Sequence, residues 1–429
     1  MPNLPLLLLQ IVVILVAARL VGGLFKRMGQ PQVIGEMLAG ILLGPSLFGW
    51  LAPNVYAALF PPDSLGFLSA LSQIGLILFM FLIGLELDPK RLRERARAAV
   101  VISQVSIIAP FVLGVLLAVY LYPRVSERPV PVSQFAIFMG VAMSITAFPV
   151  LARILTDRRL LRTELGMLAI TCAAVDDVTA WCLLAAVVLF VHASDATASL
   201  WLIVGGSAVY VIAMLFAVRP ALRRLYSIYQ RDNALSRGLL AVILVLVLAS
   251  AWVTESLGIH ALFGAFLMGA IMPKEHNFVA TLSEKLEDVT VVLLLPLFFA
   301  LTGLRTSIGL LSGWEMWLYT LLIIAVAVTG KLGGAMLAGR ATGLPWQSAG
   351  VLGILMNTRG LVELVVLSIG LDIGIIGPTL FTMMVIMALA TTLMTTPLVD
   401  WLFVRNRQLA PPEPSIGAAP GLPGRSDQS

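Results

Sequence analysis

The chain has 429 residues, of which 59% are hydrophobic and 12% charged, and its mean hydropathy is +0.98. A soluble globule of this size could not cover its surface with so few polar side chains, so the composition predicts an all-α polytopic membrane protein. The formal net charge of +5 does not indicate a nucleic-acid partner, because the basic residues occupy short loops between apolar runs.

Thirteen apolar runs are long enough to span a lipid bilayer as helices. They begin near Leu4, Gln32, Leu65, Ala98, Gln134, Glu164, Leu200, Gly238, Gly258, Thr290, Glu315, Gln347 and Gly377. Basic residues concentrate in alternate loops, and the opposite side holds only Arg124, Arg128 and Arg305. By the positive-inside rule, the N-terminus lies outside and the C-terminus is cytoplasmic, and we expect a bacterial inner (cell) membrane.

Two pairs of motifs recur in the same order. The motif Gly35-Glu-Met-Leu-Ala-Gly40 resembles Gly264-Ala-Phe-Leu-Met-Gly269, and one span later Phe81-Leu-Ile-Gly84-Leu85 resembles Phe299-Ala-Leu-Thr-Gly303-Leu304. An odd number of spans separates the copies, so the second unit is inverted, an architecture typical of transporters. The predicted parts are a first helix on the dimerisation side (1–30), inverted units of five helices (31–192 and 258–405), a linker with dimer-domain helices 7 and 8 (193–257), and a disordered cytoplasmic tail (406–429).

The fourth helix of each unit carries a predicted break. In span five, Pro149 follows Ser144 and Thr146, and its missing N–H opens the helical hydrogen-bond ladder. Span twelve contains a polar interruption with a flexible glycine, made of Asn357, Thr358, Arg359 and Gly360. Non-helical backbone at this depth must line a cavity or lie inside the protein. We expect two crossed broken helices whose free carbonyls, with the Thr146 hydroxyl, can bind a small cation.

Five ionisable residues lie deep in the apolar runs. Asp176 and Asp177 are adjacent in one run, and an ionised carboxylate at mid-membrane costs about 2.5–3.5 kcal/mol on insertion scales, so the pair indicates a functional site. Adjacent helical residues point about 100° apart, so one aspartate can meet Lys331 while the other faces a cavity. Arg359 and Glu363 have the i, i+4 spacing of a structural ion pair.

A cavity carboxylate can hold a proton or a cation, but not both, and this competition couples two fluxes when the site alternates between sides. An intramembrane aspartyl protease needs one carboxylate on each of two facing helices, whereas both aspartates here share one helix. A channel filter is not visible, and the acidic site disfavours an organic anion as substrate. We therefore expect a transporter rather than an enzyme, with no cofactor.

Three motifs then point to a family. Thr146-Ala-Phe-Pro149, Ala173-Ala-Val-Asp176-Asp177-Val178 and Met356-Asn-Thr-Arg-Gly-Leu-Val-Glu363-Leu364 resemble the monovalent cation:proton antiporter-2 family, over about residues 5–405. The resemblance implies a homodimeric elevator antiporter of the sodium/proton antiporter-like fold, in which Asp177 is the main ligand of H⁺ and of Na⁺ or K⁺. It also implies that Asp176 pairs with Lys331, that Thr146 assists, and that exchange is electrogenic.

The choice between Na⁺ and K⁺ stays open, with Li⁺ as a further possible substrate. The alternative function is a potassium efflux channel or transporter of the same superfamily.

Overall fold

The computed structural model describes residues 4–86, 96–127, 129–158, 160, 163–192, 197–232, 234–257 and 260–404. These residues form an all-α structure, which confirms the predicted fold class. The predicted tail at residues 406–429 lies outside the described residues, as do several of the basic loop positions.

Helices of very different lengths follow one another along the described chain. The first nine are α1 (Leu4–Arg27), α2 (Gln32–Leu43), α3 (Phe48–Leu51), α4 (Pro53–Leu59), α5 (Pro62–Glu86), α6 (Ala96–Val125), α7 (Val132–Ser144), α8 (Phe148–Asp157) and α9 (Glu164–His192). The next ten are α10 (Thr197–Ala213), α11 (Arg219–Asp232), α12 (Arg237–Ser256), α13 (Ala261–Ile271), α14 (His276–Val289), α15 (Leu295–Leu304), α16 (Trp314–Ala341), α17 (Trp346–Met356), α18 (Leu361–Asp372) and α19 (Pro378–Val404). Single π-helical turns join α10 to α11 and α14 to α15.

The helices follow the predicted spans. Ten helices of the described chain are long and apolar enough to cross a membrane, and shorter apolar helices lie where spans five, nine and twelve were predicted. Span nine is shorter than predicted, because α13 ends at Ile271, just before Pro273. Span ten begins earlier than Thr290, since the amphipathic helix α14 runs into it through the π-helical turn.

Glycines allow the closest helix packing, and they do so twice in equivalent places. A Cβ on Gly40 of α2 would lie 2.6 Å from Ala300 Cα, so α2 and α15 touch backbone to backbone. A Cβ on Gly269 of α13 would lie 2.8 Å from the Leu85 nitrogen, so α13 and α5 touch in the same way. The first helix of each predicted unit thus packs on the second helix of the other, as expected of inverted repeats.

The residues after the repeated prolines complete both contacts. Ser46 donates from Oγ to the Thr306 carbonyl at 2.9 Å. At the equivalent position, Lys274 donates from Nζ to the carbonyls of Gly84 and Leu85, at 2.8 and 2.9 Å. Both side chains satisfy carbonyls at or just beyond a helix end, which have no partner within the helix.

The packing separates two groups of helices. We call α6–α9 with α16–α19 the core bundle, because α6 packs along α16 and both pack on the broken helices. We call α1–α5 with α12–α15 the flanking bundle, in which α2 packs on α1 and α15, and α5 packs on α13. Between the bundles, α2 and the 3₁₀ turn Ile308–Leu310 touch α19, and Trp181 of α9 packs on Phe263 and Phe266 of α13.

Contacts between loops agree with the predicted sidedness. Arg158 pairs with Asp400 at 2.7 Å and reaches the Gly29 carbonyl at 3.5 Å, so these three positions, near the ends of predicted spans, lie on one side of the protein. Arg305, one of the three basic residues assigned to the other side, pairs with Asp372 at 2.9 Å. Which of the two faces is cytoplasmic rests on the charge pattern.

Replacing Gly40 by alanine should destabilise the protein by about 1–3 kcal/mol, because the new methyl group overpacks a backbone contact. The matched control is Gly333→Ala on α16, where a Cβ would have no atom within 4 Å. Thermal unfolding of both purified variants in detergent measures the difference. Equal melting temperatures would show that the α2–α15 contact is not close.

Candidate functional site

Two broken helices cross inside the core bundle. Residues 145–147 interrupt the first, between α7 and α8, and residues 357–360 interrupt the second, between α17 and α18. The two breaks are joined by a hydrogen bond from the Ala147 N–H to the Thr358 carbonyl, at 2.8 Å. Pro149 is in the first turn of α8, where a missing N–H is tolerated, so it helps to begin this helix rather than kinking a continuous one.

Gly360 lets the two breaks approach each other. A Cβ at this position would lie 2.7 Å from Val150 Cγ2 and 3.3 Å from Ala147 Cβ. Any larger residue would separate the second break from the start of α8. The flexible position predicted from the sequence therefore has a packing reason at this crossing.

Two buried cations hold the C-terminal end of α7. Arg359 donates from Nη1 to the Ala142 carbonyl at 3.2 Å and from Nη2 to the Met143 carbonyl at 2.6 Å. Lys331 donates from Nζ to the Ser144 carbonyl at 2.5 Å. Positive charge at a helix C-terminus is favourable, and these carbonyls have no partner within the helix. We expected such carbonyls to be free for a cation, but these three are occupied by protein donors.

Asp176 is saturated with hydrogen bonds. Its Oδ2 accepts from Lys331 Nζ at 2.7 Å and from Thr146 Oγ1 at 2.7 Å. Its Oδ1 accepts from Ser103 Oγ at 2.5 Å, and Ser106 Oγ lies within 3.4 Å of both oxygens. This carboxylate and Lys331 are fully buried, so Asp176 is compensated in charge and in hydrogen bonding.

Asp177 has the opposite environment. Its side chain is 1% exposed, yet neither carboxylate oxygen has a hydrogen-bond partner in the part of the chain that the structure describes. The Phe148 N–H at the start of α8 lies nearby, and a helix N-terminus favours negative charge. Asn357 of the second break also has a buried Oδ1 without a described partner. A buried, unpartnered carboxylate is costly unless something else binds it.

The five deep ionisable residues are all buried and largely pair off. Arg359 Nη1 lies 3.1 Å from Glu363 Oε1, and Lys331 is paired with Asp176. If all five are ionised, three acids face two bases, and the uncompensated negative charge falls on Asp177. One proton or one monovalent cation is enough to neutralise the cluster.

The remaining predicted residues take structural positions at the breaks. Ser144 donates to the Gly140 carbonyl at 2.6 Å, and Thr358 donates to the Leu355 carbonyl at 2.6 Å. Thr146, predicted to assist the cation, has its hydroxyl on Asp176 and 3.0 Å from the Met356 carbonyl. The described hydrogen bonds of the Thr146 hydroxyl are therefore with the saturated aspartate and with the last carbonyl of α17.

Sequence reasoning missed three polar partners of the site. Ser103 and Ser106 bind Asp176 from α6, and Thr392 of α19 accepts from the Arg359 N–H and donates to its carbonyl. Two serines three residues apart in an apolar span share one helix face, which was an available signal. Glu36, buried on α2 and bonded to Gln32 at 2.8 Å, was also overlooked among the intramembrane charges.

Discontinuous helices that cross beside a buried carboxylate are typical of secondary transporters. The model of the family described as "Sodium/hydrogen exchanger, transmembrane" matches residues 12–405, and the chain belongs to this family. The resemblance drawn from the motifs is thereby confirmed.

Related proteins fall into two length classes. The chain is 47% identical over 395 residues to the Na⁺/H⁺ antiporter NhaS4 of Synechocystis sp., covering 92% of this chain and 96% of that protein. It is 44% identical over 397 residues, or 92% of this chain, to cation/H⁺ antiporter 17 of Arabidopsis thaliana. It is 34% identical over 432 residues, or 98% of this chain, to K⁺/H⁺ antiporter 1 of Saccharomyces cerevisiae. The chain spans about half the length of these two proteins, 48% and 49%.

The fold is also that of a solved structure. The sodium proton antiporter MjNhaP1 from Methanocaldococcus jannaschii superposes with a TM-score of 0.66 at 15% sequence identity. The match covers 95% of this chain and 98% of that one. It shows that the two chains share the fold.

Replacing Lys331 by glutamine should destabilise the protein by about 3–5 kcal/mol, because Asp176 is then a buried charge without its ionic partner. Adding Asp176→Asn should restore most of the loss, since both charges are then absent. Thermal unfolding in detergent of the two single variants and the double variant measures the coupling. Arg305→Gln, which breaks an exposed pair, is the control and should cost at most about 1 kcal/mol. A Lys331→Gln protein as stable as this control would refute the importance of the buried pair.

Proposed function

We propose that this protein exchanges a monovalent cation for H⁺ across a membrane, and that both ions compete for Asp177. The observation that carries the proposal is the contrast between two adjacent buried carboxylates. Asp176 has its hydrogen bonds and its counter-charge supplied by the protein, whereas Asp177 has neither among the described residues. The names of the related Na⁺/H⁺, cation/H⁺ and K⁺/H⁺ antiporters support the same reaction.

The proposed movement is of the elevator type, with the core bundle sliding against the flanking bundle. Every residue of the charge cluster lies on the core bundle, so the site would move as one body. The bundles meet through a buried apolar interface, in which Trp181 of α9 packs on Phe263 and Phe266 of α13, and sliding of packed helices is a known mode of domain movement. We further propose that residues 31–192 and 258–405 are the two inverted units, and that a homodimer forms through the parts at 1–30 and 193–257.

The proposed setting is a bacterial inner membrane with the N-terminus outside, as the basic loops indicate. Na⁺ and K⁺ are both retained as substrates, with Li⁺ as a third. The relatives include proteins named for Na⁺ and for K⁺, so their names do not decide between the two. A potassium efflux channel or transporter is the alternative, and it predicts K⁺ flux without opposing proton movement.

Asp177→Asn should abolish antiport. In proteoliposomes with an imposed pH gradient, adding Na⁺, K⁺ or Li⁺ should dissipate the gradient for the unmodified protein and leave it intact for the variant. The variant keeps nearly the same side-chain volume but cannot exchange a proton for a cation. Asp63→Asn, on the exposed first turn of α5, is the matched control and should retain full activity. Full antiport by Asp177→Asn would remove this residue from the mechanism.

Competition between H⁺ and the cation for one carboxylate also determines how the antiport rate depends on pH. At pH values below the pKa of the site, each further unit of acidification should raise the apparent KM for the cation about tenfold and leave the maximal rate unchanged. The apparent KM rises because protons occupy the carboxylate to which the cation must bind. The maximal rate is unchanged because excess cation displaces these protons. Initial rates at several cation concentrations and pH values measure both constants. A maximal rate that falls while KM stays constant would indicate separate sites.

A further inference from the structure

A cavity of about 40 Å³, lined by both polar and apolar side chains, lies between the core bundle and the flanking bundle. Its core wall is α18, through Val365, Ser368, Ile369 and Asp372. The opposite wall belongs to α5, α15 and the start of α13, and its polar residues are Ser69, Ser72, Gln73, His260, Thr302 and Arg305. A void larger than about 10–15 Å³ can hold a water molecule when polar partners line it, so this cavity can hold a few waters.

The cavity leads from one protein surface toward the crossing of the breaks. Helix α18 starts at Leu361, directly after the second break, and ends at Asp372. With a rise of about 1.5 Å per residue, the α18 wall runs from about 6 Å to about 16 Å beyond the start of this helix. Its outer end lies on the face that the charge pattern predicts to be external.

One ion pair lines the outer end of the cavity. Arg305 directly follows α15 of the flanking bundle, Asp372 ends α18 of the core bundle, and Arg305 Nη1 lies 2.9 Å from Asp372 Oδ1. Three further ion pairs of the described chain, Lys331–Asp176, Arg359–Glu363 and Arg158–Asp400, each lie within the core bundle. The Arg305–Asp372 pair differs from these three because it joins the two bodies proposed to move.

We propose that this cavity is the external branch of the ion path and that the Arg305–Asp372 pair is the latch that holds it shut. The inference rests on the proposed antiport function. The two side chains are 32% and 53% exposed, and exposed ion pairs are weak. A weak pair suits a latch that must open in every transport cycle. Its removal should raise the accessibility of the cavity by up to about fivefold, which corresponds to about 1 kcal/mol.

The test measures the external accessibility of α18. Cells expressing the full chain with Ser368→Cys and Cys182→Ser are treated with a membrane-impermeant sulfonated maleimide. The second substitution removes the exposed native thiol, while Cys172 is buried. Slow labelling is expected, rising by up to about fivefold when Arg305→Gln is added. The charge swap Arg305→Asp with Asp372→Arg should return labelling to the slow rate.

Matched controls separate a latch from general loosening. Asp400→Asn breaks the Arg158–Asp400 pair, whose exposures of 28% and 48% are similar but whose partners share one bundle, and it should leave labelling unchanged. Ser312→Cys, an exposed position after α15, should label rapidly, while Ser227→Cys, an exposed position on α11, should not label from outside. Equal labelling of the Ser368→Cys protein with and without Arg305→Gln would overturn the latch. Labelling accelerated equally by Asp400→Asn would overturn it too.

The latch and the proposed function fail in different ways. Labelling reports exposure of α18 and needs no transport, whereas the pH-gradient assay reports antiport by the unmodified chain. Absence of antiport together with latch-dependent labelling would refute the function and keep the gated cavity. Antiport together with latch-independent labelling would refute the latch alone.

Discussion

The buried pair between Lys331 and Asp176 is the interaction on which the site depends. An ammonium group and a carboxylate deep in a membrane protein are each expensive, and the cost is offset only when both are paired and hydrogen-bonded. Lys331 meets this condition by binding Asp176 and the last carbonyl of α7 together. The same contact therefore stabilises the first break and removes Asp176 from the ligands available to an ion. Asp177 is left as the carboxylate without a partner among the described residues.

The two proposed inverted units contribute charges of opposite net sign to the site. Asp176 and Asp177 lie on α9 of the first proposed unit. The second proposed unit contributes Lys331 on α16, Arg359 in the second break and Glu363 on α18, a net charge of one positive when all three are ionised. The Arg359 guanidinium donates to two carbonyls at the end of α7, in the first proposed unit. These charged hydrogen bonds join the two breaks in addition to the bond from the Ala147 N–H to the Thr358 carbonyl. Unpaired backbone groups at this depth would cost several kcal/mol each. The broken helices are thus stable because donors of each break bind backbone carbonyls of the other broken helix.

The sequence predicted those parts of the site that can be seen in the order and spacing of residues along the apolar runs. The aspartates, Lys331 and both breaks could be found because charges and prolines in apolar runs are costly and therefore conspicuous. It could not predict which aspartate meets Lys331 from geometry alone, since a rotation of α9 by about 100° exchanges them. That rotation is set by packing against α6, where Ser103 and Ser106 bind Asp176. The donors that bind the α7 carbonyls, Lys331 and Arg359, likewise come from helices distant in sequence. So do the partners of the Thr146 hydroxyl, Asp176 and the Met356 carbonyl.

A single uncompensated charge explains why the proposed movement would be coupled. With Asp177 empty, the core bundle carries one net negative charge at its centre, and an unneutralised carboxylate in the apolar membrane interior costs about 2.5–3.5 kcal/mol on insertion scales, in whichever direction the bundle moves. With either H⁺ or a cation bound, the cluster is neutral and the movement avoids this cost. The loaded forms would then cross and the empty form would not, which makes the protein an exchanger rather than a leak. Asp177 alone supports one proton per cation, so an electrogenic exchange requires a second proton from the Lys331–Asp176 pair, which would have to open in each cycle.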